Sequence, residues 1–279
     1  MSKHLSRRTA LTAASYTALT ALAIIFLIPL VWMLTTALKP DAEQISYPPA
    51  LFGSRLQFEN LLRAWTAMPF NRFIVNSFVV AGGTTLVTLA GSSMAAYAFS
   101  RISFKGRDTI FLLYITTLMI PVHVTIVPLF IVVRNLGWIN SYQALILPVS
   151  FTAFGTFLIR QFFLTIPYEF EESGRIDGAS RYVLFTRIML PLVKPALSTL
   201  AIFAFVTQWK NFLWPLIVVN RTLMMTVPLG LDRFQGQYGT AWNLMMSAAA
   251  IGVIPSLIIF LVLQKYLAKG IALSGLGGR

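Results

Sequence analysis

The sequence predicts an all-α membrane protein of six transmembrane helices, with both termini on the cytoplasmic side. Three observations carry this expectation. The chain is 57% hydrophobic and only 11% charged, whereas soluble domains carry about 25% charged residues. Six apolar runs, 16–37, 73–99, 110–133, 142–162, 196–219 and 242–267, reach the length of about 20 residues that crosses the hydrocarbon core. With the N-terminus inside, fourteen Lys and Arg residues fall in inside segments and seven in outside segments, the asymmetry that sets topology. Backbone groups in lipid find no water, so the runs are helices; none shows the period-two alternation of a barrel strand.

Taken in order, Lys3, Arg7 and Arg8 precede an uncharged run from Thr9 to Leu38. It exceeds the 7–15 or so apolar residues of a signal peptide, so it reads as an uncleaved first span. Residues 39–72 hold Pro40, Pro48, Pro49 and Pro69, which marks an irregular loop with one short helix around 59–64. The next three spans frame short basic loops. A polar island, 165–191, separates the fourth span from the fifth. The fifth contains Lys210, the one basic residue left over from the inside and outside segments. Residues 220–241, with Gly230, Gly236, Tyr238 and Gly239, read as a partly re-entrant surface loop before the sixth span. No internal repeat, linker or second domain is visible: residues 1–279 read as one transmembrane domain, with core helices over about 71–268.

Composition also excludes. There is no cysteine, so neither a disulfide framework nor a thiolate metal site exists. His4 and His123 are far apart, so no metal site is expected. The net charge of +13 comes from basic residues flanking apolar runs, which points to anionic lipid and topology rather than nucleic acid. The chain has no Gly-Lys-Ser/Thr phosphate loop, no Gly-x-Ser-x-Gly elbow and no paired intramembrane carboxylates, so no catalytic constellation is present.

The island carries the functional signal. It holds four of the nine acidic residues, Glu169, Glu171, Glu172 and Asp177, interleaved with Arg175, Arg181 and Arg187. Thr165 ahead of Pro167 is a helix-start signal, and the three glutamates suit the positive end of a helix dipole. Glu171 and Arg175 are spaced i, i+4. Asp177-Gly178 signals a turn, Ser180 caps a second helix, and Tyr182, Phe185, Ile188 and Met189 approximate its apolar face. Pro191 marks a break before the fifth span. All acids are expected at surfaces. A short helix, a tight turn and a second short helix form a docking surface for a soluble partner.

Glu172-Ser173-Gly174, Gly178 four residues later, Ile176-Asp177-Gly178-Ala179, and Ile188-Met189-Leu190-Pro191 resemble the cytoplasmic loop of ABC import permeases. Ser173 and Gly174 replace two alanines of that pattern. Further segments extend the resemblance to nearly the whole chain, among them Ala95-Ala96-Tyr97-Ala98-Phe99, Arg160-Gln161-Phe162-Phe163 and Phe212-Leu213-Trp214-Pro215-Leu216. These are similar to the carbohydrate-uptake branch, that of the maltose importer's smaller permease subunit. The resemblance implies a type I importer architecture and a sugar or sugar-like solute. It also implies a second homologous permease, two ATPase subunits carrying ATP and Mg, and an extracytoplasmic solute-binding protein. This chain itself would hold no cofactor. In the implied coupling loop, Glu171, Glu172, Ser173, Gly174, Asp177, Gly178, Ala179, Ile188 and Pro191 face the ATPase.

The chain departs from similar permeases in the fifth span, where Trp209-Lys210-Asn211-Phe212 stands in place of Trp-Asn-acid-Phe. An intramembrane lysine costs about 2.5–3.5 kcal/mol on insertion scales. Two readings stand: Lys210 lines the solute path, favouring an anionic saccharide or glycerol phosphate, or it snorkels to an interface. Gln208, Trp209, Asn211 and Trp214 join it as candidates for the path, because sugars favour aromatic faces flanked by amides. The alternative class is an ATPase-independent secondary transporter or channel.

Overall fold

The computed structural model describes residues 2–236 and 239–275, with side chains described over 12–236 and 240–262. Tyr238, the terminal basic side chains, and the end of the tail at 276–279 lie outside the described residues. The chain divides into two compact units, residues 1–68 with 231–253 and residues 69–230 with 254–279.

The first unit is organised around the end of α1 (Ser2–Ala37), whose stretch Thr12–Ala37 is long and apolar enough to cross a membrane. The last carbonyls of a helix lack intrahelical partners. Here Ala37 O accepts from Asn60 Nδ2 at 3.0 Å and from Ser247 Oγ at 3.0 Å, and Lys39 O accepts from Asn60 Nδ2 at 2.8 Å. Asn60 belongs to α2 (Glu59–Ala67), the short helix expected in this loop, three residues longer than anticipated. The Lys39 side chain is buried, donating to Ala50 O and lying 5.0 Å from the Trp32 ring centroid. Arg63 donates twice to the Asp41 carboxylate at 3.1 Å.

The second unit is built on α3 (Phe70–Arg101), an unbroken 32-residue helix. One face of it is small and hydroxyl-bearing: Ser77, Ala81, Thr84, Thr85, Thr88, Ser92, Ser93, Ala96 and Ser100 are all buried. Such faces let helices approach closely where lipid gives no hydrophobic drive.

The third expected span is not one helix. It is α4 (Arg107–Thr116), continued by a 3-10 turn to Met119, and α5 (Val122–Asn135), bent by 102°. Pro121 forces Ile120 into extended backbone and donates no hydrogen bond. The fourth span is likewise α6 (Tyr142–Ser150) and α7 (Ala153–Thr165), bent by 48°. Phe151 and Thr152 are extended, and Thr152 Oγ1 restarts the helix by accepting from Gly155 N at 3.2 Å. A Cβ on Gly155 would lie 2.5 Å from Ser92 Oγ, so a larger residue there would force the Ser92 side chain aside where α7 meets α3.

Beyond α7 comes α8 (Glu169–Ile176), and then a helical stretch over Arg181–Leu192. That stretch consists of α9 (Arg181–Val183), a π-helical turn (Leu184–Met189) and α10 (Leu190–Leu192). It meets α11 (Lys194–Trp209) at 78°. The expected fifth span is also broken, because α11 stops at Trp209 and α12 (Leu213–Val218) follows. Pro215 explains the interruption, since its ring clashes with a helical carbonyl four residues earlier, at Asn211.

The segment after α12 is better packed than a surface loop. Met225, Val227 and Leu229 are buried. Asn76 Nδ2 donates to Leu223 O and Met225 O at 2.9 and 2.8 Å, and Val227 N donates to Ser77 Oγ at 2.8 Å. Val227 opens α13 (Val227–Asp232); a two-residue antiparallel pair, Gln235 with Thr240 and Gly236 with Gly239, precedes α14 (Trp242–Gly275). Among the described residues, three helices are long and apolar enough to span a membrane, and up to six spans exist if each bent pair counts as one.

Candidate functional site

The polar island folds as a helix–turn–helix clasp. Thr165 does not start its first helix: it ends α7, where its hydroxyl donates to Phe162 O at 2.8 Å. Ile166 is extended, as the residue before Pro167 should be. Helix α8 begins at Glu169, with three glutamates in its first turn where the dipole favours them.

Its C-terminus is a Schellman turn. Gly178 N donates to Arg175 O at 3.0 Å and Ala179 N to Gly174 O at 2.9 Å. Gly178 has φ +77° with open space where a Cβ would stand, so its requirement is conformational. Ser180 then caps the next helix as expected, its Oγ accepting from Val183 N at 3.4 Å. At Gly174 the requirement is spatial, since a Cβ there would lie 2.6 Å from Leu184 Cδ2 and 2.8 Å from Ile188 Cδ1.

Not every acid lies at the surface. Glu171 is buried, and its carboxylate meets the end of α3. Oε1 is 3.5 Å from Arg101 Nε, and Oε2 accepts from Tyr97 Oη at 3.4 Å. Arg175, one turn on, reaches Oε2 at 3.6 Å from the exposed side. The Arg101 guanidinium also donates to the carbonyls of Phe163 and Ile166 that end α7, and sits 4.5 Å over the Tyr168 ring. One buried cation thus joins α3, α7 and α8. Beneath it lies an apolar core of Ala96, Tyr97, Ile159, Phe163, Met189, Val193, Ala196 and Leu200.

The outward face of the clasp is different. Glu172, Ser173, Asp177 and Gly178 are exposed, as are Pro191 and Arg181; Ala179 and Ile188 are half-buried. Ile176 is 86% exposed and Tyr182 75% exposed. The outward face thus sets these two exposed apolar side chains among charged ones. Of the expected docking residues, Glu171 and Gly174 turn inward instead. Of the expected apolar face, Met189 is buried and Tyr182 is exposed.

The second candidate site surrounds the break after α11. A cavity of about 700 Å³ is lined by Gln208, Lys210, Asn211 and Trp214, together with Thr125, Thr152 and Thr207. A smaller hollow of about 200 Å³ adjoins it, sharing Val149, Thr152, Thr207 and Gln208 and adding Thr84 and Thr88. Trp209 is not in either wall. It is buried, stacked on Phe205 at 5.7 Å and edge-on to Phe78 at 4.9 Å. Trp214 is buried too, and its Nε1–H donates to Ala144 O at 2.8 Å. Among the described residues no group of three or more His, Cys, Asp or Glu is placed to hold a metal ion.

Residues 87–273 match the family described as binding-protein-dependent transport system inner membrane component. The chain belongs to this family. It is 36% identical over 262 residues to the trehalose/maltose transport system permease protein MalG of Thermococcus litoralis, covering 92% of this chain and 94% of that protein. It is 35% identical over 269 residues to the sn-glycerol-3-phosphate transport system permease protein UgpE of Escherichia coli O1:K1 / APEC, covering 94% and 96%. A chain from the crystal structure of a bacterial ABC transporter involved in the import of the acidic polysaccharide alginate superposes with a TM-score of 0.81. That match has 19% identity and covers 92% of this chain and 96% of the other.

The fold is therefore that of a type I ABC importer permease, and the chain is the permease component of a binding-protein-dependent importer. The alternative of a free-standing secondary transporter or channel is set aside. In this permease, sequence reasoning located the clasp but missed Arg101 and Tyr97. The only trace of Arg101 was a basic residue closing the second span, indistinguishable there from one that sets topology.

Proposed function

We propose that this permease imports a sugar or sugar-like solute across a bacterial inner membrane by alternating access, driven by ATP hydrolysis on two partner ATPase subunits that carry ATP and Mg. Both termini and the clasp face the cytoplasm. Glu172, Ser173, Asp177, Gly178, Ala179, Ile188 and Pro191 present the clasp to an ATPase, with Ile176 and Tyr182 as its apolar contacts. Glu171 and Gly174 serve from within, by holding α8 to α3 and to the stretch over Arg181–Leu192. A second, homologous permease completes the pathway, membrane lipid surrounds it, and an extracytoplasmic binding protein delivers solute. Gln208, Lys210, Asn211 and Trp214 line this chain's share of the path. The trehalose/maltose and glycerol-phosphate systems of MalG and UgpE support a polyhydroxylated solute.

The observation that carries the reading is the clasp: an outward face of charge around two exposed apolar side chains, on a helix anchored inward by a buried ion pair. Its test is purification of the chain from native membranes with Glu172→Lys and Gly178→Asp beside the wild type, followed by ATPase assay of the eluate. The wild type is expected to bring an ATPase, and the variants to lose it or its stimulation by loaded binding protein. A wild type that elutes without ATPase in mild detergent sinks the proposal.

A further inference from the structure

We propose that Lys210 is an anion-recognising group, so that the solute carries a carboxylate, phosphate or sulfonate beside its hydroxyls. The inference rests on reading the 700 Å³ cavity as part of the solute path. Lys210 closes α11 and its side chain is exposed in the cavity wall. Helix α11 has 16 residues, so at about 1.5 Å per residue Lys210 lies roughly 24 Å from its start, short of the 30 Å or so that the hydrocarbon core spans. Irregular backbone at such depth is tolerated where it lines a cavity, and a charged side chain there marks a site for an ion or substrate.

The wall offers this cation no counter-charge. No Asp, Glu or second basic residue lines the cavity, and Lys210 forms no ion pair among the described residues. The neutral groups beside it are turned toward donation. Asn211 Nδ2 donates to Gln208 Oε1 at 3.1 Å, and Asn211 Oδ1 accepts from Trp214 N at 3.4 Å. Both amide oxygens are thus engaged, while the Gln208 amide N–H groups and the Lys210 ammonium remain to face a ligand. Thr152 Oγ1 accepts from Gly155 N, so its hydroxyl hydrogen is also available. A few donors gathered around one unpaired cation in an otherwise apolar wall fit an oxyanion better than a neutral sugar.

The test labels the complete complex, with partner permease and ATPases, in phosphatidylcholine nanodiscs. Lys210 acetylation by a water-soluble amine-reactive ester is followed by mass spectrometry. Glucuronate, digalacturonate and sn-glycerol 3-phosphate are the anionic probes, with glucose and maltose as neutral controls. At least one anionic probe is expected to slow Lys210 labelling about tenfold or more, with glucose and maltose without effect and the remaining lysines unchanged. Lys210→Met is expected to weaken binding of that probe by a similar factor, while Lys210→Arg retains it. Four results overturn the inference. They are no protection by any anionic probe, equal protection by neutral sugar, slow labelling before any probe is added, and protection that appears only when phosphatidylglycerol replaces phosphatidylcholine. The third points to a carboxylate of the partner permease, and the fourth to a lipid headgroup. The importer reading fails separately, by absence of an ATPase from the complex.

Discussion

Glu171 and Arg101, seventy residues apart, face each other at 3.5 Å with side chains only 2% and 1% exposed. The carboxylate comes from the loop helix and the guanidinium from the end of the longest helix of the second unit. Burying two charges is costly, and removing one of a buried pair leaves the other uncompensated, at about 3–5 kcal/mol. Glu171→Leu and Arg101→Met are each expected to lower the thermal midpoint of the purified complex strongly, and the double substitution to recover most of the loss. Recovery of stability without recovery of ATP-driven uptake would identify the pair as the link between α8 and α3. A double variant whose loss equals the sum of the two single losses would show that the charges do not depend on each other.

Gly178 sits in the left-handed region with no neighbour near its missing Cβ. Gly178→Ala is therefore expected to cost about 1–2 kcal/mol, from backbone conformation alone, and Gly178→Asn less. Retention of the ATPase on the purified permease, measured in rising salt, should rank glycine above asparagine above alanine. A ranking in which alanine matches glycine removes the conformational argument.

Trp209 lies against Phe78 and Phe205, outside the wall of the cavity. Trp209→Ala is expected to cost about 3–5 kcal/mol of stability, as truncations of buried aromatics do. The KM for uptake by the folded fraction should stay near the wild-type value. A tenfold rise in KM with an unchanged thermal midpoint would return Trp209 to the solute path.

Asp41 titrates in a defined direction. Hydrogen bonds from Arg63, then from Asn243, hold its carboxyl below the ordinary value. A carboxylate with a depressed folded pKa stabilises at neutral pH and loses that contribution as pH falls from about 4 downward. The side chains are 47% and 58% exposed, so screening keeps the effect under about 1 kcal/mol. Protection factors over residues 41–63, corrected for the intrinsic pH dependence of amide exchange, are expected to fall as pH drops below about 4, and those of Asp41→Asn to be low throughout. Identical pH dependence in the variant would place the transition on another group.

The six apolar runs were legible because hydropathy reports composition, and lipid imposes it. The breaks at Ile120, Phe151 and Lys210–Phe212 were hidden, since a kinked pair is as apolar as a straight helix. Pro121 and Pro215 carried that signal in the backbone rather than in hydropathy. The clasp was legible in its turn chemistry, from Asp177-Gly178 and Ser180. Its inside and outside were not. Glu171 and Glu172 are adjacent, and a rotation of about 100° per residue sends one to Arg101 and leaves the other in solvent. Only the partner on α3 decides which, and nothing local to the island names it. At the cavity, Gln208, Lys210 and Asn211 were recoverable as polar residues in an apolar run, whereas Trp209 points into protein for reasons of packing and Trp214 lines the wall with its Nε1–H committed to Ala144 O.

The stretch over Arg181–Leu192 meets α11 at 78°, close to a right angle. A load pressed along that stretch reaches the base of α11 almost broadside, so it acts as a torque rather than a thrust. Lys210 stands at the far end of α11, so a tilt of about 3° at Lys194 would displace it by about 1 Å at the helix rise of about 1.5 Å per residue.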